Sequence, residues 1–202
     1  MTRDAILQAA AQIFREKGYH AASMQDIAEA VELQKGSLYH HVSSKQGILL
    51  ALLDQALDIL TAELEEVCRG PLPPEQKLRR AIQTYLDILT ENISLSSVLL
   101  LEHRSLKPEN HQAHIPRRDR FEGLWRDMIQ EGLEAGVFHD LSPDQTAKAV
   151  LGTLNWTITW YRQDGRLSSR EIADGYADLF LTGMTPRTSW EGDERERSTP
   201  EN

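Results

Sequence analysis

A single cysteine in 202 residues, Cys68, excludes an internal disulfide and any cysteine-cluster metal site, and it fits a reducing compartment. No apolar run approaches the roughly 20 residues of a membrane-spanning helix. The opening stretch MTRDAILQAAAQIF is an amphipathic helix with neither a basic leader nor a cleavage site, so a cytoplasmic location without a membrane partner is expected. Strand-like alternation and internal repeats are missing. A phosphate-cradling glycine loop, a Ser-His-Asp order and metal-ligand spacing are missing too, so no cofactor and no catalytic group are expected.

Excess positive charge is also lacking, and the formal net charge is −9. Its distribution is uneven. Residues 1–45 hold five cations (Arg3, Arg15, Lys17, Lys35, Lys45) against five anions (Asp4, Glu16, Asp26, Glu29, Glu32), a net of zero, so the whole −9 lies in residues 46–202. A neutral N-terminal module is repelled less by phosphate than its acidic companion, although nothing there amounts to a basic patch.

What the chain does have is helical periodicity, with 40% apolar residues, enough for a substantial core. Residues 2–17 place Ile6, Leu7, Ala10, Ile13 and Phe14 on one stripe, with Gly18 as the stop. In SMQDIAEAVELQKGSLYHHVSSK, residues 23–45, two short helices meet at a tight turn. Met24, Ile27, Ala28 and Val31 form the apolar face of the first, which Ser23 caps with Asp26 closing a capping box. The second, Lys35 to Val42, turns Leu38 and Val42 inward and leaves Lys35, Ser37, Tyr39, His40 and His41 on its outer faces. Small, polar and aromatic donors on a short exposed helix suit the DNA major groove, which admits a helix and displays hydrogen-bonding base edges.

The run Ile27-Ala28, Lys35-Gly36-Ser37-Leu38-Tyr39-His40-His41 and Ser44-Lys45 resembles the helix-turn-helix of the TetR/AcrR family of bacterial transcriptional regulators. Two positions depart from the family pattern. Glu32 stands where the family usually has Gly, at a turn position that demands φ > 0 and strains other residues, which predicts a slightly altered turn. Val42 replaces an aromatic, which predicts thinner packing under the recognition helix. For DNA contact, the bets are Lys45, Tyr39 and the Ser23 cap on phosphates, and Gln34, Ser37 and His40 on bases. Lys35, Gly36 and His41 complete the set.

Beyond residue 45 the spacing predicts a long helix over about 46–68, broken by Gly70-Pro71-Leu72-Pro73-Pro74. Further helices follow from about Glu75 through Leu89, over 93–102, over about 116–135, over 142–163 and over 168–184. The expected fold is all-α, about nine helices: a helix-turn-helix head at 1–45, a ligand-binding and dimerisation bundle at 46–184, and a disordered tail at 185–202, where charge, Ser, Thr, Pro and Gly take over. The segment 103–116, with two prolines and three histidines, reads as a break.

The resemblance implies a homodimer held by the last two long helices, reading a palindromic double-stranded DNA operator through two heads. It also implies an effector pocket in the bundle. Phe121, Trp125, Trp156 and Trp160 are candidates for its apolar lining, with Asn155 and Thr159 as its polar groups. Arg117, Arg118 and Arg120, placed in a first helical turn where they would oppose the helix dipole, suggest an anion site together with His103, Arg104, His111 and His114. The phrase at 154–184 is similar to members of the family that sense acyl-CoA thioesters, which would put an acyl tail in the cavity and CoA phosphates on the basic rim. Two alternatives stand beside this repressor reading. One is a TetR-like protein with no pocket, controlled by a protein partner or acting architecturally. The other is an enzyme acting on a CoA thioester.

Overall fold

The computed structural model describes residues 2–139 and 141–185; the expected tail, apart from Thr185, lies outside them. The described residues form nine α-helices and two 3-10 turns, with no strand among them. No helix among them is long and apolar enough to cross a membrane.

Helix α1, Arg3–Lys17, starts on the Thr2 hydroxyl, which accepts the Ala5 N–H, and stops at Gly18 with φ +77°. Helix α2, Met24–Ala30, carries the expected capping box: Ser23 Oγ accepts the Asp26 N–H at 3.1 Å, and an Asp26 oxygen accepts the Ser23 N–H at 2.7 Å. The Lys17 ammonium at 2.6 Å, helped by Ser23, holds the Asp26 carboxyl down at about 2. Helix α3, Lys35–Leu38, is shorter than the expected Lys35–Val42, because the chain tightens after Leu38 into bonds from His40 N–H to Ser37 O and from His41 N–H to Leu38 O. The predicted faces survive: Leu38 and Val42 are buried, while Tyr39, His40 and His41 are exposed.

Helix α4, Lys45–Arg69, is capped by Ser44 and buried on several sides. Its first half joins α1–α3 in one core, which also takes in Val98 and Leu106 from later in the chain. Its second half enters a larger core with the helices that follow. These are α5 (Pro74–Glu91), α6 (Ile93–Leu101), α7 (Pro108–Glu134), α8 (Pro143–Trp156) and α9 (Ser169–Met184). Helix α4 packs chiefly on α7, and α5 on α9.

Two elements correct the sequence-based expectation. Helix α7 begins at Pro108 and continues through Pro116, after a 3-10 turn over His103–Ser105. A proline inside a helix removes one backbone bond and costs about 3 kcal/mol. Here the extra turns are anchored across the helix pair, because the buried His114 lies 2.9 Å through Nδ1 from Asp54 of α4. Arg117, Arg118 and Arg120 therefore sit in mid-helix, and the anion site at a helix N-terminus does not form. Helix α8 stops at Trp156 instead of reaching residue 163 and passes into a 3-10 turn, Thr157–Thr159. There the Thr159 hydroxyl donates to the Trp156 carbonyl at 2.7 Å, offering the backbone an alternative to the helical ladder.

Candidate functional site

The head presents seven of the nine expected DNA-contact residues on one exposed stretch: Gln34, Lys35, Gly36, Ser37, Tyr39, His40 and His41. A Cβ added to Gly36 would meet no atom within 4 Å, so the glycine leaves open space on the outer surface and serves no internal packing. Ser23 is exposed but engaged in its capping box.

The turn holding this surface is a Schellman motif. Leu33 N–H bonds Ala28 O at 2.8 Å, Glu32 N–H bonds Glu29 O, and Glu32 sits at φ +53°. The turn predicted for a glycine is thus formed by a glutamate, which carries the steric cost of the left-handed region. Glu32→Gly is expected to raise the unfolding free energy by about 0.5–1 kcal/mol, the relieved strain exceeding the added freedom of the unfolded chain. Chemical denaturation measures this, and a destabilised variant would show that Glu32 makes a compensating contact.

Lys45 departs from expectation. Its ammonium points into the head, donating to the carbonyls of Tyr19 at 2.8 Å, His20 at 3.3 Å and Ala22 at 2.6 Å, and it lies 4.5 Å from the centre of the Tyr19 ring. Those bonds use all three of its donors, so it closes the α1–α2 loop and has no N–H left over for a phosphate.

The same loop is tied to the bundle. Tyr19 N–H bonds a Glu102 oxygen at 3.0 Å. Gln46 donates to Tyr19 Oη at 2.7 Å and to Ser105 O at 2.8 Å, while its own carbonyl accepts the Lys107 N–H and the Asn110 amide. Nothing in the local pattern of Gln46 signals this role, since its bundle partners lie some 60 positions away.

Within the bundle a cavity of about 440 Å³ opens among α4 to α8. Leu57, Tyr85, Leu99, Leu100, Phe121, Leu151 and Ile158 give it an apolar interior, and His103, His111, His114, Arg118 and Glu122 supply its charged and titratable groups. Six expected ligand-site residues line it: His103, Arg118, Phe121, Asn155, Trp156 and Thr159. Four do not. Trp125 is fully buried in the core, edge-on to Tyr85, and its Nε1 has no hydrogen-bond partner. Arg117 is held by Asp58 and by Asp54 at 3.4 Å. Arg104 and Trp160 lie outside the wall, the latter because α8 has already unwound. Tyr85 and the α6 leucines were missed because, on a core stripe, nothing in spacing separates a cavity wall from solid packing.

Charge in the cavity is sparse. Burial, with the Arg104 guanidinium adding to it, holds the His103 imidazole below the ordinary histidine value, so it is neutral near pH 7. Arg118 is the guanidinium in the wall, with Glu122 at 3.5 Å and Asp119 at 3.4 Å. Among the described residues no group of three His, Cys, Asp or Glu side chains could hold a metal ion.

Comparison with known proteins accounts for both halves. Residues 6–52 match the family described as bacterial regulatory proteins, tetR family, and residues 71–184 match the tetracyclin repressor-like C-terminal domain. The HTH-type transcriptional repressor KstR2 of Mycobacterium tuberculosis is 27% identical over 185 residues, covering 91% of this chain and 92% of its own. The crystal structure of PfmR, a TetR family regulator from Thermus thermophilus, superposes with a TM-score of 0.82 at 40% identity, over 88% of this chain and 97% of that one. AibR, solved with isovaleryl coenzyme A and operator DNA, superposes at 0.82 with 26% identity, over 88% and 96%. An exposed helix-turn-helix on a cavity-bearing bundle, matched over both halves, makes this chain a member of the TetR family of bacterial transcriptional regulators.

Proposed function

We propose that the protein is a ligand-responsive repressor: a homodimer that binds a palindromic operator and leaves it when an acyl-CoA thioester fills the bundle cavity. The observation that carries this reading is the position of the cavity. His103, in its wall, belongs to the same 3-10 turn as Ser105 and directly follows Glu102, and both of those neighbours are bonded to the head. A ligand that shifts this turn changes the seat of the α1–α2 loop, giving the two sites a shared structural element to bias. The cavity also speaks against a regulator without a small-molecule pocket.

The choice of effector rests on an apolar chamber beside one guanidinium, on the isovaleryl coenzyme A bound by AibR, and on the similarity to KstR2, whose structure is described as that of a ketosteroid regulator. Dimerisation is assigned to α8 and α9, whose outer faces leave Trp156 and Leu179 each 66% exposed. Such apolar exposure on consecutive helices suits an isologous interface.

A thermal-shift panel of acyl-CoAs, free acids and planar drugs, repeated with bound operator, tests the proposal. A CoA ester is expected to raise the melting temperature of the free protein and to release DNA; a flat response to every CoA ester would remove it as effector. Tyr39→Ala, exposed and outside the core, is expected to weaken operator binding with far-UV helicity unchanged. Unaltered binding would take Tyr39 out of the DNA interface.

A further inference from the structure

We infer that the cavity contains a built recognition point for a carbonyl oxygen, formed by the Asn155 side-chain amide and aimed by Tyr85. The inference deepens the effector reading above, naming the group on the ligand that the protein selects.

Tyr85 is buried on α5, and burial pushes its phenol above the ordinary tyrosine value, so it remains a protonated donor. Its ring is fixed by Phe121, with centroids 6.1 Å apart, and by Trp125 at 6.0 Å. Thus held, the hydroxyl donates to Asn155 Oδ1 across the α5–α8 contact.

That bond decides what the asparagine offers. With its oxygen committed to Tyr85, the amide nitrogen and its two N–H donors are left for another partner. Among the described residues the nitrogen bonds no protein group, yet it is not among the buried unpartnered atoms, so solvent reaches it. Asn155 lines the cavity, whose wall is largely apolar, Leu57, Leu99 and Leu151 included, alongside Glu122 and Thr159. A purely apolar ligand would strip water from these donors without replacing its hydrogen bonds, an unfavourable exchange for a polar group. A ligand with an acceptor at this point replaces them. Sites of this construction discriminate strongly against analogues that lack the matching group. A thioester carbonyl has the required chemistry; a thioether or a plain alkyl chain does not.

The test compares two matched pairs of probes by calorimetry on the full chain: octanoyl-CoA against S-octyl-CoA, and methyl octanoate against methyl octyl ether. Wild type is expected to bind the carbonyl member of a pair about tenfold or more tightly, and Asn155→Leu to bind both members alike. Because Asn155→Leu leaves the Tyr85 hydroxyl without its acceptor, the Tyr85→Phe/Asn155→Leu double variant provides a second folded background with the same expected loss of preference. Tyr85→Phe alone, which frees the amide to rotate, should reduce the preference. Equal binding within both pairs by wild type, a preference that survives in both Asn155 variants, or no binding of any probe would overturn the assignment. Binding of the ester pair with the expected preference and of neither CoA compound would keep the carbonyl point and remove the CoA reading.

Discussion

Lys45→Ala is expected to lower the unfolding free energy by about 2–3 kcal/mol, the scale of losing hydrogen bonds from a charged donor to partly buried acceptors. The three carbonyls it serves lie in one short loop, and no other side chain among the described residues is bonded to them. Operator affinity should fall as well, because the loop positions α2 and, through it, the exposed surface from Gln34 to His41. A lysine acting on a DNA phosphate makes a different prediction. Its removal would leave stability unchanged and would flatten the logarithmic salt dependence of operator binding by about one unit. Urea denaturation and a salt titration of binding, run on the same variant, separate the two; unchanged stability with a reduced slope would return Lys45 to the DNA interface.

The second large effect lies in the bundle. Lys77 on α5 is only 5% exposed, and its ammonium lies 2.7 Å from both oxygens of Glu131 on α7. Glu131→Ala is expected to cost about 2–3 kcal/mol. That is below the full penalty for stranding a buried charge, since the Glu131 side chain is 47% exposed and water can take part of its place. Lys77→Met removes the charge itself and should cost less. The double variant Lys77→Met/Glu131→Leu should lie within about 1 kcal/mol of wild type, because packed apolar groups commonly substitute for such a pair. If Glu131→Ala were as stable as wild type, the pair would be a surface contact of the kind that contributes little.

Both residues mark where the sequence stops being informative. The capping box at Ser23, the glycine stop after α1 and the positive φ at residue 32 were legible because each is decided within a few residues. The exposed Tyr-His-His stretch was legible for the same reason. Lys45 reads as a free cation because its acceptors are backbone carbonyls 23 to 26 positions upstream, which side-chain pattern cannot report. The early start of α7 was hidden because Pro116 is a local stop signal, and the His114–Asp54 contact that supports the helix is 60 positions apart. Of the cavity, the α7 and α8 contributions were anticipated in part. The α5 and α6 walls depend on how helices cross, and no single helix encodes that.

The crossing of α4 has one more consequence. The core of the head is a shared one: Ile48, Leu49, Leu52 and Leu53 of α4 complete it, and Val98 and Leu106 join it from later in the chain. Opening the head strips apolar cover from α4 and α6, so its melting is expected to be coupled to that of the bundle. Hydrogen exchange on the full chain is therefore expected to protect the buried amides of α1 to the same level as those of α4.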